Sequence, residues 1–225
     1  GALQGIIVES TTGTATSTLN INNNNIYTTT HTVALASGAI TLISNAMAYL
    51  TVSISNNTFT NLSVNTTGSV TFISNNWTNS SATGVKNVNG NSIVTAFGKT
   101  GAGGTVTLFT DNGSDVVGAL NNSNNNNFSN ITVTGATTIA GWSNTNGGTP
   151  TKTVTGNTFS TWTGGTSAVT GLVVSFSGNS TVSNNIVNAC GVAAENRNGR
   201  HQAPLTPRGR RPDEASAYKD VREES

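Results

Sequence analysis

The residues best suited to chemistry in this chain are Asp111 and Asp115, which flank the turn sequence Asn112-Gly113-Ser114. Their spacing lets one loop carry both carboxylates, either as an acid pair for glycoside hydrolysis or as part of a Ca²⁺ site. A third acid and a basic side chain are missing beside them, and Glu9 is remote in the sequence. Asp-Asn-Gly is also common turn chemistry, so we favour a solvated turn. We therefore assign no catalytic residue and expect no cofactor, with Ca²⁺ at this turn as the alternative.

The aromatic and histidine residues suggest binding rather than catalysis. Trp142 and Trp162 lie in Gly/Thr-rich stretches, which predicts exposed turns where an indole ring could stack on a sugar. Trp77 occupies an apolar position of a repeated motif and is expected to pack in the core. His31 has no acid nearby in the sequence, so we expect a surface histidine rather than a general base.

Charge divides the chain into two regions. Up to Cys190 the charged side chains are Glu9, Lys86, Lys99, Asp111, Asp115 and Lys152. This region offers no basic patch for nucleic acid and no apolar run long enough to insert into a membrane. A single cysteine excludes an internal disulfide and a cysteine-based metal site. Residues 191–225 are rich in charge and proline, which predicts a disordered or weakly helical tail, or a non-native junction. We accordingly divide the chain into 1–190 and 191–225.

A repeat of about 33 residues organises the first region. An apolar residue, two small or polar residues, Asn, any residue and a second apolar residue recur from positions 21, 54, 88 and 154, with a degenerate copy from 123. A second apolar series starts at Ile43, Ile73, Phe109, Ile139 and Phe176. Short apolar segments at Val33–Leu35, Leu62–Val64 and Ile131–Val133 form a third. These series predict an all-β parallel solenoid of five to six coils, each with two or three short strands.

The repeated Asn has a physical role in such a solenoid. When one position recurs in every coil, each side-chain amide can donate to the next coil and accept from the previous one. Such a ladder satisfies polar groups that would otherwise be buried without partners. We predict that the ladder comprises Asn24, Asn57, Asn91, Asn126 and Asn157.

From residue 19 to residue 187 the chain resembles right-handed parallel β-helix proteins of the pectate-lyase-like superfamily, in particular the Asn-rich, low-charge β-helices of secreted bacterial surface proteins. The resemblance implies a fragment of a non-enzymatic extracellular or cell-surface protein for surface architecture, adhesion or glycan contact. Its expected partners are glycans or cell-surface components, with neither nucleic acid binding nor membrane insertion.

Two alternatives stay open. The first is a fragment of a polysaccharide lyase or glycoside hydrolase whose catalytic coils lie outside this chain or around Asp111 and Asp115. The second is a Thr-rich ice-binding solenoid. The Thr-rich runs that suggest it are Thr14–Thr18, Thr105–Thr107, Thr132–Thr134 and Thr151–Thr155, and they fall at different phases of the repeat.

Overall fold

The structure is a computed structural model, and it describes residues 2–9, 16–175 and 179–192. Within those ranges the regular elements are β-strands, with no helix. Of the tail predicted for residues 191–225, the residues from 193 onward, with His201, lie outside the described residues. The start of the strand predicted at Phe176 lies outside them as well. The division into 1–190 and 191–225 therefore stays a prediction.

The strands follow one another in successive coils. The first coil contains β1 (Leu3–Val8), β2 (Thr18–Asn22), β3 (Asn25–Tyr27) and β4 (Thr30–Ala36), and the second contains β5 (Ile40–Asn45), β6 (Thr51–Ser55), β7 (Thr58–Thr60) and β8 (Leu62–Thr66). The third contains β9 (Val70–Ser74), β10 (Val85–Asn87), β11 (Ser92–Ile93) and β12 (Phe97–Lys99). The fourth contains β13 (Thr105–Asp111), β14 (Ser114–Asp115), β15 (Leu120–Asn124) and β16 (Ile131–Val133). The fifth contains β17 (Thr138–Asn144), β18 (Gly147–Gly148), β19 (Thr151–Thr155) and β20 (Thr158–Gly164), and the last contains β21 (Leu172–Val174), β22 (Ser180–Ser183) and β23 (Ile186–Val192).

Equivalent strands of successive coils pair in parallel and build three long sheets. Sheet A has the order β1-β5-β9-β13-β17-β21, sheet B has β2-β6-β10-β15-β19-β22, and sheet C has β4-β8-β12-β16-β20-β23. Two smaller parallel sheets, β3-β7-β11 and β14-β18, lie at the corners. The first and last strands of each long sheet are five turns apart, and equivalent residues such as Asn24 and Asn57 are separated by 33 positions. The predicted parallel β-solenoid is confirmed.

The asparagine ladder is also confirmed and extends one coil further than predicted. In each coil the backbone N–H and the Nδ2 of the ladder residue donate to the Oδ1 of the next ladder residue. The bonds run from Asn24 through Asn57, Asn91, Asn126 and Asn157 to Asn185, at 2.8–3.0 Å. The second Nδ2 proton donates to a backbone carbonyl of the preceding coil, as from Asn91 to Ile54 at 2.8 Å. Each buried amide is thereby bonded on both sides.

The residue before each ladder Asn turns the chain into the corner. It has a positive φ in all six coils, and the residues are Asn23, Asn56, Gly90, Asn125, Gly156 and Asn184. Asn and Gly tolerate this left-handed conformation better than other residues do. The second corner uses the same conformation at Asn61 and Asn130.

The apolar core runs along the axis of the coils. Phe72 contacts Phe59 and Phe97 edge-to-face at 5.0 Å between ring centroids, and Phe128 lies 5.7 Å from Phe72. All four rings are fully buried or nearly so. Burial of each such side chain stabilises the fold by about 1.5–3 kcal/mol. One corner of the interior departs from this pattern, because its side chains are polar.

Candidate functional site

The polar corner is built by one inward position of sheet B. Register pairing aligns Leu19, Val52, Lys86, Asn121, Lys152 and Ser180 in a single column. The first two members are apolar, as a core position of a half-buried sheet requires. From the third coil onward the column is polar, and Lys86, Asn121 and Lys152 are each at most 1 % exposed.

A second polar column faces it from the end of sheet A. Asp111 aligns with Asn144 in the following coil, and the Nδ2 of Asn45 donates to the Oδ1 of Asn75 in the two coils before. Asp111 ends β13, and the turn that follows carries Asp115 back inward on β14. Both aspartates are at most 1 % exposed. The two columns therefore bring five charged or amide side chains together: Lys86, Asp111, Asp115, Asn121 and Asn146, here called the Lys86 cluster.

Lys86 lies between the two carboxylates. Its Nζ is 3.2 Å from both oxygens of Asp111 and 3.1 Å from Oδ1 of Asp115. It also donates to the backbone carbonyl of Trp77, and it lies 4.7 Å from the centroid of the Trp77 ring. A buried ion pair of this kind recovers its desolvation cost only when further hydrogen bonds satisfy the remaining polar atoms.

Those further bonds are present. Asn121 donates through Nδ2 to Oδ2 of Asp111 at 2.9 Å and to Oδ2 of Asp115 at 3.2 Å. Asn146 donates to Oδ1 of Asp111 at 3.0 Å, and the backbone N–H of Asn79 donates to Oδ1 of Asp115 at 2.7 Å. All four carboxylate oxygens have donors, so the cluster is internally saturated.

The other two lysines of the coils are buried as well. Lys152 donates to the carbonyls of Asn146 and Ser175, the latter at 2.8 Å. Burial lowers the pKa of Lys152, while the nearby Asp111 and Asp115 act in the opposite direction. Lys99 lies on sheet C and donates to the carbonyls of Gly101 and Gly103. Burial lowers the pKa of Lys99, and no described carboxylate offsets this effect.

The predicted exposure of Trp142 and Trp162 is wrong. Trp142 is completely buried on β17 and stacks on Phe109 at 4.4 Å, and Trp162 is 2 % exposed on β20. The Nε1 of Trp162 donates to the carbonyl of Phe128 at 2.7 Å. The physical reason at Trp142 is its register, because Trp142 aligns with Phe109, and Phe109 aligns with Ile73, in an inward column of sheet A. The predicted member of this column, Ile139, aligns with Val106 instead, three positions earlier.

The solvated turn predicted at Asp111 and Asp115 is also wrong. Only the tip, at Asn112 and Ser114, is exposed, while both carboxylates point into the core. Trp77 is buried, as predicted. His31, expected on the surface, is half-buried on β4, and its Nδ1 is buried without a hydrogen-bond partner among the described residues.

The Thr-rich runs do not share one face. Thr105–Thr107 lies on β13 of sheet A, Thr132 on β16 of sheet C, and Thr151–Thr155 on β19 of sheet B. Of the first run, Thr14 lies outside the described residues. In the ranges that the structure describes, no three His, Cys, Asp or Glu side chains are grouped to hold a metal ion. The same ranges contain no helix that is long and apolar enough to cross a membrane.

No protein-family model matches the chain, and the comparisons with curated proteins and with solved structures found no match either. The fold alone therefore sets the class of protein, which is a parallel β-solenoid of about five turns. Membership of the pectate-lyase-like superfamily and a secreted bacterial origin stay predictions.

Proposed function

We propose that this solenoid is a non-enzymatic scaffold of an extracellular or cell surface, and that its outer face contacts neutral glycans or other uncharged surface components. The observation that carries the proposal is the placement of charge. The lysines and aspartates of the coils, Lys86, Lys99, Lys152, Asp111 and Asp115, are all buried. Their charges therefore contribute little to the outer surface, which presents hydroxyl and amide groups instead.

The outer side of sheet B presents a regular column of polar side chains. Register pairing aligns its outward residues Asn20, Ser53, Asn87, Asn122, Thr153 and Thr181 in one column, here called the Asn122 column. Adjacent members are about 4.8 Å apart, because this is the spacing of paired strands. Asn122 donates to Asn87 at 2.8 Å, so part of the column is held in place before any partner binds.

Two aliphatic residues lie beside this column. Val85 aligns with Leu120 in the next coil, and Leu120 is 41 % exposed. Sugar rings present C–H groups on their faces and hydroxyls at their rims, so a surface of amides, hydroxyls and aliphatic carbon matches their chemistry. The burial of Trp142 and Trp162 removes the aromatic platform predicted from the sequence, and this face is the alternative contact.

The enzyme alternative has less support. A hydrolase needs two carboxylates that can reach the glycosidic bond and a water molecule. Asp111 and Asp115 are buried and saturated by Lys86 and by asparagine and backbone donors. Their arrangement supports a structural role.

Glycan binding tests the proposal directly. The full chain is applied to an array of neutral and acidic glycans, and to insoluble cellulose, chitin and mannan, at low and at high salt. We expect binding to a neutral glycan that salt does not weaken, because uncharged contacts are not screened. The variant Asn122→Lys should weaken binding at least tenfold. Ser74→Lys, a matched change on the outer side of sheet A, should leave it unchanged.

Three results would contradict the proposal. The proposed glycan contact is contradicted if no neutral glycan binds, or if Asn122→Lys and Ser74→Lys change the affinity by the same amount. The non-enzymatic assignment fails if the same polysaccharides release products, with or without Ca²⁺, in a reaction that is lost in Asp111→Ala.

A further inference from the structure

We infer that the Lys86 cluster is a self-modification site, in which the Nζ of Lys86 and the side-chain carboxyl of Asp111 condense to an intramolecular amide. Asp115 is the proton relay. The inference is independent of glycan binding, because it depends only on the interior contacts of the third and fourth coils.

The first argument is distance. The Nζ of Lys86 is 3.2 Å from each oxygen of Asp111, so it lies on the symmetry plane between them. Because a carboxyl C–O bond is about 1.25 Å long, equal distances to both oxygens place Cγ within about 3.6 Å of Nζ. Reacting atoms held about 3–3.5 Å apart reach effective concentrations far above those possible in solution. The fold therefore holds the amine close to its acceptor permanently.

The second argument is burial. The side chains of Lys86 and Asp111 are each 1 % exposed. An amine and a carboxylic acid react only in their neutral forms, and water normally keeps both charged. Because both side chains are buried, bulk water does not come between the amine and the carboxyl group.

The third argument is the set of groups around the reacting atoms. Asn146 donates to Oδ1 of Asp111 and Asn121 donates to Oδ2, so negative charge on either oxygen of a tetrahedral intermediate meets a fixed donor. Asp115 lies on the other side of Nζ, at 3.1 Å, where it can accept the proton that nitrogen must lose.

The reaction balances without another reactant. Lys86 transfers one proton to the Asp111 carboxylate, and the free amine attacks Cγ. Asp115 accepts a second proton from the nitrogen and returns it to the departing oxygen. The C–O bond breaks, water leaves, and the Nζ–Cγ amide remains. Asp115 ends as it began, as a carboxylate, and the nearby Lys152 balances its charge.

The product would join neighbouring coils covalently. Lys86 lies on β10 of the third coil and Asp111 ends β13 of the fourth. The amide would close a loop of 25 positions and fasten two coils that are otherwise held by hydrogen bonds and packing.

Mass spectrometry of the folded wild-type chain tests whether the amide forms. We expect the intact chain to be lighter than its sequence mass by one water molecule. After denaturation, trypsin cleaves an unmodified chain after Lys86, Lys99 and Lys152, and residues 87–99 are released as a free peptide. In the cross-linked chain Lys86 is protected, and residues 1–99 stay attached to residues 100–152.

Variants test the assigned roles. Lys86→Arg and Asp111→Ala should abolish the mass loss, and Asp115→Asn should lower the cross-linked fraction at least tenfold. Lys99→Arg is the matched control, because Lys99 is an equally buried lysine without a described carboxylate neighbour, and its cross-link should persist. The inference is overturned if the folded wild-type chain has its full mass and releases peptide 87–99. It is also overturned if water is still lost in Asp111→Ala, or if the wild type loses ammonia instead, which would make an asparagine side chain the acceptor. The wild-type digest decides the outcome even where a variant fails to fold.

Discussion

The asparagine ladder makes a quantitative prediction at its centre. Asn91→Ala removes four hydrogen bonds, because Asn91 donates to Ile54 and Asn126 and accepts two bonds from Asn57. All the side chains involved are buried. Water cannot reach these sites easily, so the partners that remain cannot rehydrate.

The size of the expected stability loss depends on which buried groups are left without a hydrogen-bond partner. The Nδ2 of Asn57 keeps its bond to Ile21, and Oδ1 of Asn126 keeps the backbone N–H of residue 91. The backbone N–H of Asn57 loses its acceptor, and the carbonyl of Ile54 loses the amide donor. Each buried group left unsatisfied costs about 1–3 kcal/mol, so we expect a loss of about 2–6 kcal/mol. That is a large share of the roughly 5–15 kcal/mol by which most domains are stable.

Urea unfolding followed by far-ultraviolet circular dichroism measures this loss, with Asn20→Ala as the control. Asn20 is an exposed Asn on the outer side of β2, so its removal should change stability by less than about 0.5 kcal/mol. Hydrogen exchange gives a local test, since the Asn57 amide should be protected in the wild type and should exchange faster in Asn91→Ala. Equal urea midpoints for the two variants, with the Asn57 amide still protected, would refute the ladder as a source of stability.

Two further predictions concern the corner and the isolated lysine. Gly90→Ala should destabilise the fold by about 1–2 kcal/mol, because φ is 68° and the added Cβ would lie 2.3 Å from Oδ1 of Asn56. Gly98→Ala is the control, because an added Cβ there meets nothing within 4 Å and should not destabilise the fold. The urea midpoints of the two variants are compared. Burial lowers the pKa of Lys99 in the folded state, so the unfolded chain holds this proton to higher pH. The stability of the wild type, relative to that of Lys99→Met, should therefore rise as the pH increases from the folded pKa of Lys99 toward its unfolded value of 10.5. If the difference in stability between the two chains stays constant up to pH 10, the burial of a charged Lys99 is contradicted.

The repeat and the ladder could be predicted because both depend only on spacing. A motif that returns after about 33 residues places equivalent residues side by side, whatever the side-chain details. The prediction ended at Asn157 because the last coil is shorter, and Asn185 follows after only 28 positions. Parallel pairing of Val154 with Val182 nevertheless keeps the register.

The two tryptophans could not be placed by the same argument. Gly-rich sequence around Trp142 suggests a turn, whereas Gly141, with a φ of 52°, lies inside β17. Ile139 and Trp142 are both inward and lie three positions apart, so apolar spacing alone does not show which of them continues the column of Phe109. On β20 the Thr residues on either side of Trp162 point outward. Because side chains alternate between the two faces of a strand, this pattern predicts that Trp162 points inward.

The Lys86 cluster was missed although the sequence contains its signal. Lys86 and Lys152 each precede the first apolar residue of a motif by two positions, which is the position that Leu19 and Val52 occupy in earlier coils. Aligning the repeats would have assigned both lysines to the interior. Without that alignment, a lysine in a polar strand is expected to be solvated, because lysine is mostly exposed in proteins.

The buried charges also explain how a chain of similar coils keeps its order. The ladder and the apolar columns are nearly the same in every coil. They would therefore also fit a misfolded chain in which one coil is looped out and its two neighbours pair directly. If the fourth coil were skipped, β10 would pair with β19 and place Lys86 beside Lys152, without Asp111 or Asp115. A buried charge that loses its partner costs about 3–5 kcal/mol, and here two like charges would meet. As an ion-pair network, before any amide forms, the cluster therefore adds little stability to the correct fold but strongly penalises the nearest wrong one.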